Sequence, residues 1–220
     1  MKARTAFVAL LTVGVVGTAA WLVFFSPVLG VSEVQIVGNV TIPKERVREA
    51  ADVADQEPLA TLDLAEIESR VLEIKQLESA RIERGWPGTL RISVVERRAV
   101  AALPYGGAFA LVDRHGVVMG IEQRAPAKLP VLRVSAPRPG DPATAAALAV
   151  IRALPEELGR RVKEVRAPSA ESVSLVLGDG REVVWGGADR AEDKVRVVTG
   201  LLRKPYDVYD VSSPDVVAVK

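Results

Sequence analysis

Cysteine is absent from this 220-residue sequence, and histidine occurs once, at His115. The first absence excludes disulfides, thiolate catalysis and cysteine-ligated zinc. The second leaves Ser-His-Asp catalysis and multi-histidine metal sites with little to build on. His115 lies in the polar turn Asp113-Arg114-His115-Gly116 and reads as a solvated turn residue. Asp113 and Asp179 also fall in turns, where Asp bonds its own backbone, so they are poor candidates for a paired-carboxylate site. No G-x-S-x-G, Ser-x-x-Lys or G-x-x-x-x-G-K-[ST] motif occurs. Gly106-Gly107 and Gly186-Gly187 are isolated pairs that read as turns rather than phosphate cradles. No catalytic, cofactor or metal-ligating residue is assigned, and an enzyme is not expected.

An excess of one charge is missing too, once the chain is divided. Lys2 and Arg4 are two of the 29 basic residues, which leaves 27 against all 28 acidic ones beyond Phe25. That balance is neither a nucleic-acid footprint nor a polybasic membrane patch. Charge is wholly absent from Thr5 to Phe25, a run of 21 residues that also lacks Asn, Gln and His. As a helix the run is about 31 Å long, close to a hydrocarbon core of roughly 30 Å. A helix satisfies its backbone internally, so such a run can span a bilayer. Lys2 and Arg4 precede it, and the next basic residue beyond it is Lys44. The positive-inside bias therefore predicts residues 1–4 as a cytoplasmic tail, 5–25 as a transmembrane helix and the rest outside. The rival reading is a cleaved signal peptide ending near Thr18-Ala19-Ala20, past which Trp21 to Phe25 continue the apolar run.

The exported part reads as α+β. Glu33 to Val37 alternates as a half-buried strand. Pro43 suits a first helical turn, followed by Val47, Ala50 and Ala51. Asp63 with Glu66 three residues on looks like a capping pair, and Leu64, Ile67, Val71 and Ile74 follow at helical spacing. Two alternating runs, around Ala80–Ile82 and Leu90–Val94, are joined by Gly85-Trp86-Pro87-Gly88, a hairpin connection. Trp86 is expected to pack over that hairpin, with an exposed recognition aromatic as the alternative. Glu96-Arg97-Arg98 reads as a solvated charge cluster at a domain junction. The order is β-α-α-β-β.

From residue 99 the chain reads as a β-rich domain with two helices. A hairpin spans Phe109 to Met119, a short strand lies at Val131 to Val134, and Asp141-Pro142 opens a helix to Leu154. Ser172–Leu177 and Arg181–Trp185 flank Gly178-Asp179-Gly180, a strong hairpin signal. A helix follows over Asp189 to Arg203, then a last short strand from Val208 to Val211.

Several of these stretches resemble the bacterial cell-division family FtsQ/DivIB. They are Val34-Gln35-Ile36-Val37-Gly38-Asn39, Pro43 to Val47, Ala80 to Leu90 with Gly85-Trp86-Pro87-Gly88, and Val95-Glu96-Arg97-Arg98. Together they are similar to the family's POTRA domain, here 26–98. Ala108 to Val118, Leu129-Pro130-Val131-Leu132 and Tyr209-Asp210-Val211 are similar to its second domain, here 99–220. The composition resembles actinobacterial members. The resemblance implies a non-enzymatic, single-pass septal scaffold of the divisome in the plasma membrane. Its implied partners are the bitopic coiled-coil proteins FtsB (DivIC) and FtsL. Other divisome membrane proteins and the lipid bilayer are further expected contacts, and nucleic acid is not one. The tail, only Met1 to Arg4, is shorter than family members often carry, and Ser212-Ser213-Pro214-Asp215 lacks the tyrosine found there in some enterobacterial relatives. An exported POTRA-containing binding or envelope-assembly module unrelated to division is the alternative.

The candidate partner site is Val208, Tyr209, Asp210, Val211, Ser212 and Ser213, extended by Val216 and Val217. A last strand leaves one row of N–H and C=O groups unpaired, and no Pro or Lys blocks it from Val208 to Ser213. The competing reading is that this strand only closes the domain's own sheet.

A reporter active only beyond the membrane, fused to Lys220, is expected to be active while the product runs at full length on a gel. Loss of about 20 N-terminal residues from the mature protein would instead establish a cleaved signal peptide.

Overall fold

The computed structural model describes residues 2–25, 29–135 and 140–220; within the first stretch, side chains 2, 3, 5, 6, 19, 20 and 22–25 lie outside that description. Helix α1 runs without interruption over Lys2–Phe25. Its apolar side chains at Phe7, Val8, Leu10, Leu11, Val13 and Val16 are all exposed. At about 100° per residue these point all round the axis rather than along one stripe. Counting only fully described residues, no helix is long and apolar enough to cross a membrane. The expected span 5–25 falls partly on the side chains outside the description.

The chain forms two compact units, Met1–Arg97 and Arg98–Lys220. In the first, β1 (Glu33–Val37), α2 (Lys44–Ala51), α3 (Leu64–Leu72), β2 (Leu77–Gly85) and β3 (Thr89–Glu96) follow the expected order. Strand β3 lies between the others: it pairs antiparallel with β2 and parallel with β1, from Glu33↔Thr89 to Val37↔Ser93. Val47 and Ala51 of α2 and Ile67 and Val71 of α3 form one core with Ile36, Ile82, Leu90 and Ile92 of the sheet. Each fully buried Val or Ile in such a core contributes about 1.5–3 kcal/mol. Asp63 caps α3 as its spacing predicts, accepting from the N–H groups of Ala65 at 3.0 Å and Glu66 at 3.1 Å. Glu66 does not close the box. It pairs with Arg70 one turn on, at 2.7 Å.

Two expectations about this unit are corrected. Trp86 is 53% exposed at the β2–β3 turn, which favours the alternative of an exposed aromatic over packing on its hairpin. Glu96 is half-exposed, but its charge is engaged by the chain rather than free. Its carboxylate accepts from the N–H groups of Val40 (2.7 Å), Thr41 (2.9 Å) and Ile42 (2.9 Å), and from the Thr41 hydroxyl at 2.5 Å. It thereby replaces the strand partners that the loop after β1 lacks.

The second unit holds one nine-stranded mixed sheet ordered β12-β11-β10-β9-β8-β7-β4-β5-β6. Its strands are β4 (Ala99–Tyr105), β5 (Ala108–Asp113), β6 (Val118–Glu122), β7 (Val131–Val134), β8 (Val162–Ala167), β9 (Val173–Leu177), β10 (Glu182–Gly186), β11 (Val208–Asp210) and β12 (Ala218–Val219). The helices are α4 (Pro142–Ala153), α5 (Glu156–Gly159) and α6 (Ala191–Leu201). The single turn α5 thus adds a third helix to the two expected. Ala147, Leu148 and Val150 of α4 and Val198 of α6 share a core with Leu132, Val165, Leu175 and Trp185. Gly106 and Gly107, with φ of 56° and 85°, make the tight β4–β5 turn in a conformation that side chains with a Cβ resist.

Burial pushes the Glu96 carboxyl upward, but the hydrogen bonds from Thr41, Ile42 and Val40 outweigh it and lower its pKa from 4.5 to about 2. A depressed carboxyl contributes stability that is complete above its unfolded pKa and is lost as pH falls through the folded value. Urea melts of the protein should therefore show the first unit weakening between pH 4.5 and about 2. Glu96→Gln should remove this acid sensitivity and cost about 1–2 kcal/mol at neutral pH.

Candidate partner-binding edge

The end of the chain departs from the expected arrangement: β11 is not the sheet's edge. On its inner side β11 pairs parallel with β10, through Glu182↔Val208, Val183↔Tyr209 and Val184↔Asp210. On its outer side β12 pairs antiparallel with it, through Tyr209↔Val219 and Asp210↔Ala218. The Asp207 and Val208 N–H groups donate to Lys220 O at 2.8 and 3.0 Å, and Lys220 N–H returns to Val208 O at 3.0 Å. The chain's own last residues occupy the row of groups expected to stand open. The free edge at this end of the sheet belongs to β12.

The predicted residues divide by burial. Tyr209 and Val211 are fully buried and belong to the core. Val208 and Asp210 are half-buried, and Ser212 and Ser213 are exposed. Val216 is 77% exposed, and Val217 and Val219 are exposed beside it. Strand alternation accounts for the split, since Tyr209 and Val211 share the face covered by the helices. Asp210 holds the exit from the strand, its Oδ1 accepting from the Ser212 N–H at 3.0 Å and the Ser212 hydroxyl at 2.6 Å.

Tyr209 is a structural pin. Its hydroxyl donates to Lys204 O at 2.6 Å and accepts from Arg181 Nη1 at 2.9 Å and the Tyr206 N–H at 3.2 Å. Arg181 also donates to Leu202 O at 3.1 Å and pairs with Asp179 at 2.7 Å. The Arg181 guanidinium holds the Asp179 carboxyl well below the usual carboxylate range. Asp179 in turn holds the Arg181 guanidinium firmly charged.

A second set of contacts, not legible as a site in the sequence, holds the segment between β11 and β12. Arg190 grips Asp215 through two bonds, of 2.5 and 3.0 Å, and its hydrogen bond lowers the Asp215 pKa. Lys194 is fully buried, yet its Nζ donates to Gly187 O at 2.9 Å and lies 3.4 Å from Asp189 Oδ1. It fixes the loop that presents Arg190. A Cβ on Gly186 would stand 2.9 Å from Ser212 Cβ, so glycine permits the approach of these two segments. Their sequence trace was faint: Val216 to Val219 is an apolar run after a Pro-Asp turn.

His115 is exposed in its turn, where its N–H donates to Asp113 Oδ1 at 2.9 Å. Among the described residues no group of three or more His, Cys, Asp or Glu is arranged to hold a metal ion.

The family model "POTRA domain, FtsQ-type" matches residues 29–97, and "Cell division protein FtsQ/DivIB, C-terminal" matches residues 101–215. The chain is 40% identical over 221 residues to cell division protein FtsQ of Mycobacterium tuberculosis H37Rv, covering 100% of this chain and 69% of that protein. It is 42% identical over 199 residues to FtsQ of Mycolicibacterium smegmatis, covering 90% of this chain and 60% of the relative. FtsQ of Streptomyces bingchenggensis is 34% identical over 229 residues, with 99% of this chain and 86% of the relative covered. The solved extracytoplasmic domain of DivIB from Geobacillus stearothermophilus (trans isomer) covers 50% of this chain and 98% of its own, at 22% identity and a TM-score of 0.37. The matches leave no place for the alternative of a module unrelated to division. The chain belongs to the FtsQ/DivIB family of bacterial cell-division proteins, a family of non-enzymatic scaffolds.

Proposed function

We propose that this protein is a single-pass scaffold of the divisome, which links and regulates septal proteins through its extracytoplasmic domains. Residues 1–4 form a cytoplasmic tail, 5–25 the membrane anchor, 26–98 the POTRA domain and 99–220 the β-rich domain. The unbroken α1 supports the anchor, as do its apolar side chains exposed on every side. Within α1, Thr12 and Thr18 donate their hydroxyls to the carbonyls of Val8 at 2.8 Å and Gly14 at 2.9 Å. A hydroxyl satisfied inside its own helix is compatible with lipid.

The partner proposed for the C-terminal edge is FtsB/DivIC, with FtsL beside it, and its mode of binding is strand addition. The observation that carries this reading is that the sheet ends on the two-residue strand β12, with exposed Val216, Val217 and Val219 around it. An edge whose strand is apolar, here with Lys220 at its end, is a template for another strand unless it is blocked. The partner strand then lies outside β12, and the segment from Val208 to Ser213 supports the edge from within. The Arg190–Asp215 pair and the Tyr209 pin hold that edge in place before the partner arrives.

Lys220 uses both its N–H and its C=O toward Val208 and Asp207. In an antiparallel ladder the alternate residue, Val219, therefore turns its N–H outward. Val219→Pro should weaken capture of FtsB tenfold or more, about 1.4 kcal/mol, while the thermal midpoint of the protein stays nearly unchanged. Tyr209→Pro, by contrast, should unfold the second unit. Normal binding by Val219→Pro would overturn strand addition outside β12. Tighter binding after deletion of 216–220 would show that the partner takes β12's place against β11.

A further inference from the structure

The β2–β3 turn of the first unit carries an exposed aromatic that the partner edge does not use. Trp86 is 53% exposed there, and from Arg84 to Leu90 the chain has one cation and no acid. The turn is fastened to the segment that enters the unit from α1. Gly88 O accepts from the Ser32 N–H at 2.8 Å and from the Glu33 N–H at 3.1 Å. A Cβ on Gly88 would stand 3.0 Å from Gly30 O and 2.4 Å from Ser32 Oγ, so the two segments lie in backbone contact. The entry segment is held on its other side as well. Leu59 N–H donates to Leu29 O at 3.2 Å, and Val31 N–H donates to Glu57 O at 2.9 Å.

The parallel pairing of β1 with β3 fixes the polarity of this unit. Glu33 stands opposite Thr89, so the chain's entry and the hairpin turn share one end of the sheet. The chain leaves β3 toward Arg97 at the other end. From Phe25, the last residue of α1, to Leu29, the first fastened residue, there are four Cα–Cα steps. Fully extended they reach about 14 Å, whatever path they take. The polar interface of a bilayer is about 5–8 Å deep on each side. If α1 spans the bilayer, the turn bearing Trp86 is thus held within a short tether of its outer surface, with the rest of the sheet extending away.

We propose that Trp86 is an interfacial membrane contact: its indole lies among the lipid headgroups of the bilayer that α1 crosses. Tryptophan suits that layer because its ring is apolar and its N–H finds water or a phosphate oxygen. The contact acts as a foot. It limits the swing of the first unit about its tether and so sets the direction in which the chain leaves β3. This inference rests on the anchor reading of α1.

The test uses the full chain with Trp21→Phe, reconstituted into phosphatidylcholine–phosphatidylglycerol vesicles. Trp86 and the fully buried Trp185 are then the emitting residues. Lipids brominated near the headgroup end of their chains should quench one component, and lipids brominated near the methyl end should quench it less. The quenched component should vanish when Trp86→Phe is added. Flotation of the vesicles separates the two readings. Protein that floats but shows no shallow quenching overturns the Trp86 contact alone. Protein that fails to float overturns the anchor, and the contact with it.

Discussion

A peptide group withdrawn from water needs a partner, and at several of its loops this protein meets that requirement with charged side chains. Glu96 gathers the N–H groups of Val40, Thr41 and Ile42. Arg84 donates to Leu59 O and Leu62 O, both at 2.6 Å, and Arg70 donates to Ala51 O at the end of α2. Arg181 and Lys194 serve the Leu202 and Gly187 carbonyls in the same way. Asp63 and Asp141 cap α3 and α4 within their own first turns. The longer-range bonds hold the loops that set where one element meets the next.

That division explains the shape of both candidate surfaces. In the first unit the entry segment is hydrogen-bonded to the β2–β3 turn and to the loop near Glu57, so three pieces distant in sequence share one end of the sheet. In the second unit the Arg190–Asp215 pair and the main-chain bonds of Lys220 bring the last residues back along β11. Under the proposed strand addition, main-chain groups supply the pairing at such an edge, and side-chain contacts decide which groups are presented.

Much of the fold was legible because its signals are local. Asp63 as a cap, Asp141-Pro142 as a helix start, and the Gly178-Asp179-Gly180 turn each act within four residues. Strand β8 was missed because a bulge between Val162 and Glu164 places Lys163 and Glu164 side by side and breaks the alternation. Strand β4 was missed because its run of small apolar residues, Ala99 to Leu103, has no alternation to read. The exposure of Trp86 was not legible because it depends on what packs against the turn, which the neighbouring residues in sequence do not decide.

The sequence by itself determined the α+β class, the β-α-α-β-β order of the first unit and the charge-free run from Thr5 to Phe25 within α1. These follow from periodicity, capping and composition, which need no distant contact. Only the tertiary structure decided which strand stands at the edge. Val208 to Val211 reads equally well as a last strand or a penultimate one, because the pairing of Tyr209 with Val219 depends on a turn that Arg190 fixes from elsewhere in the chain. Strand order is a long-range choice among main-chain groups that look alike in every residue. Local chemistry therefore cannot specify it, and the packing of the whole sheet does.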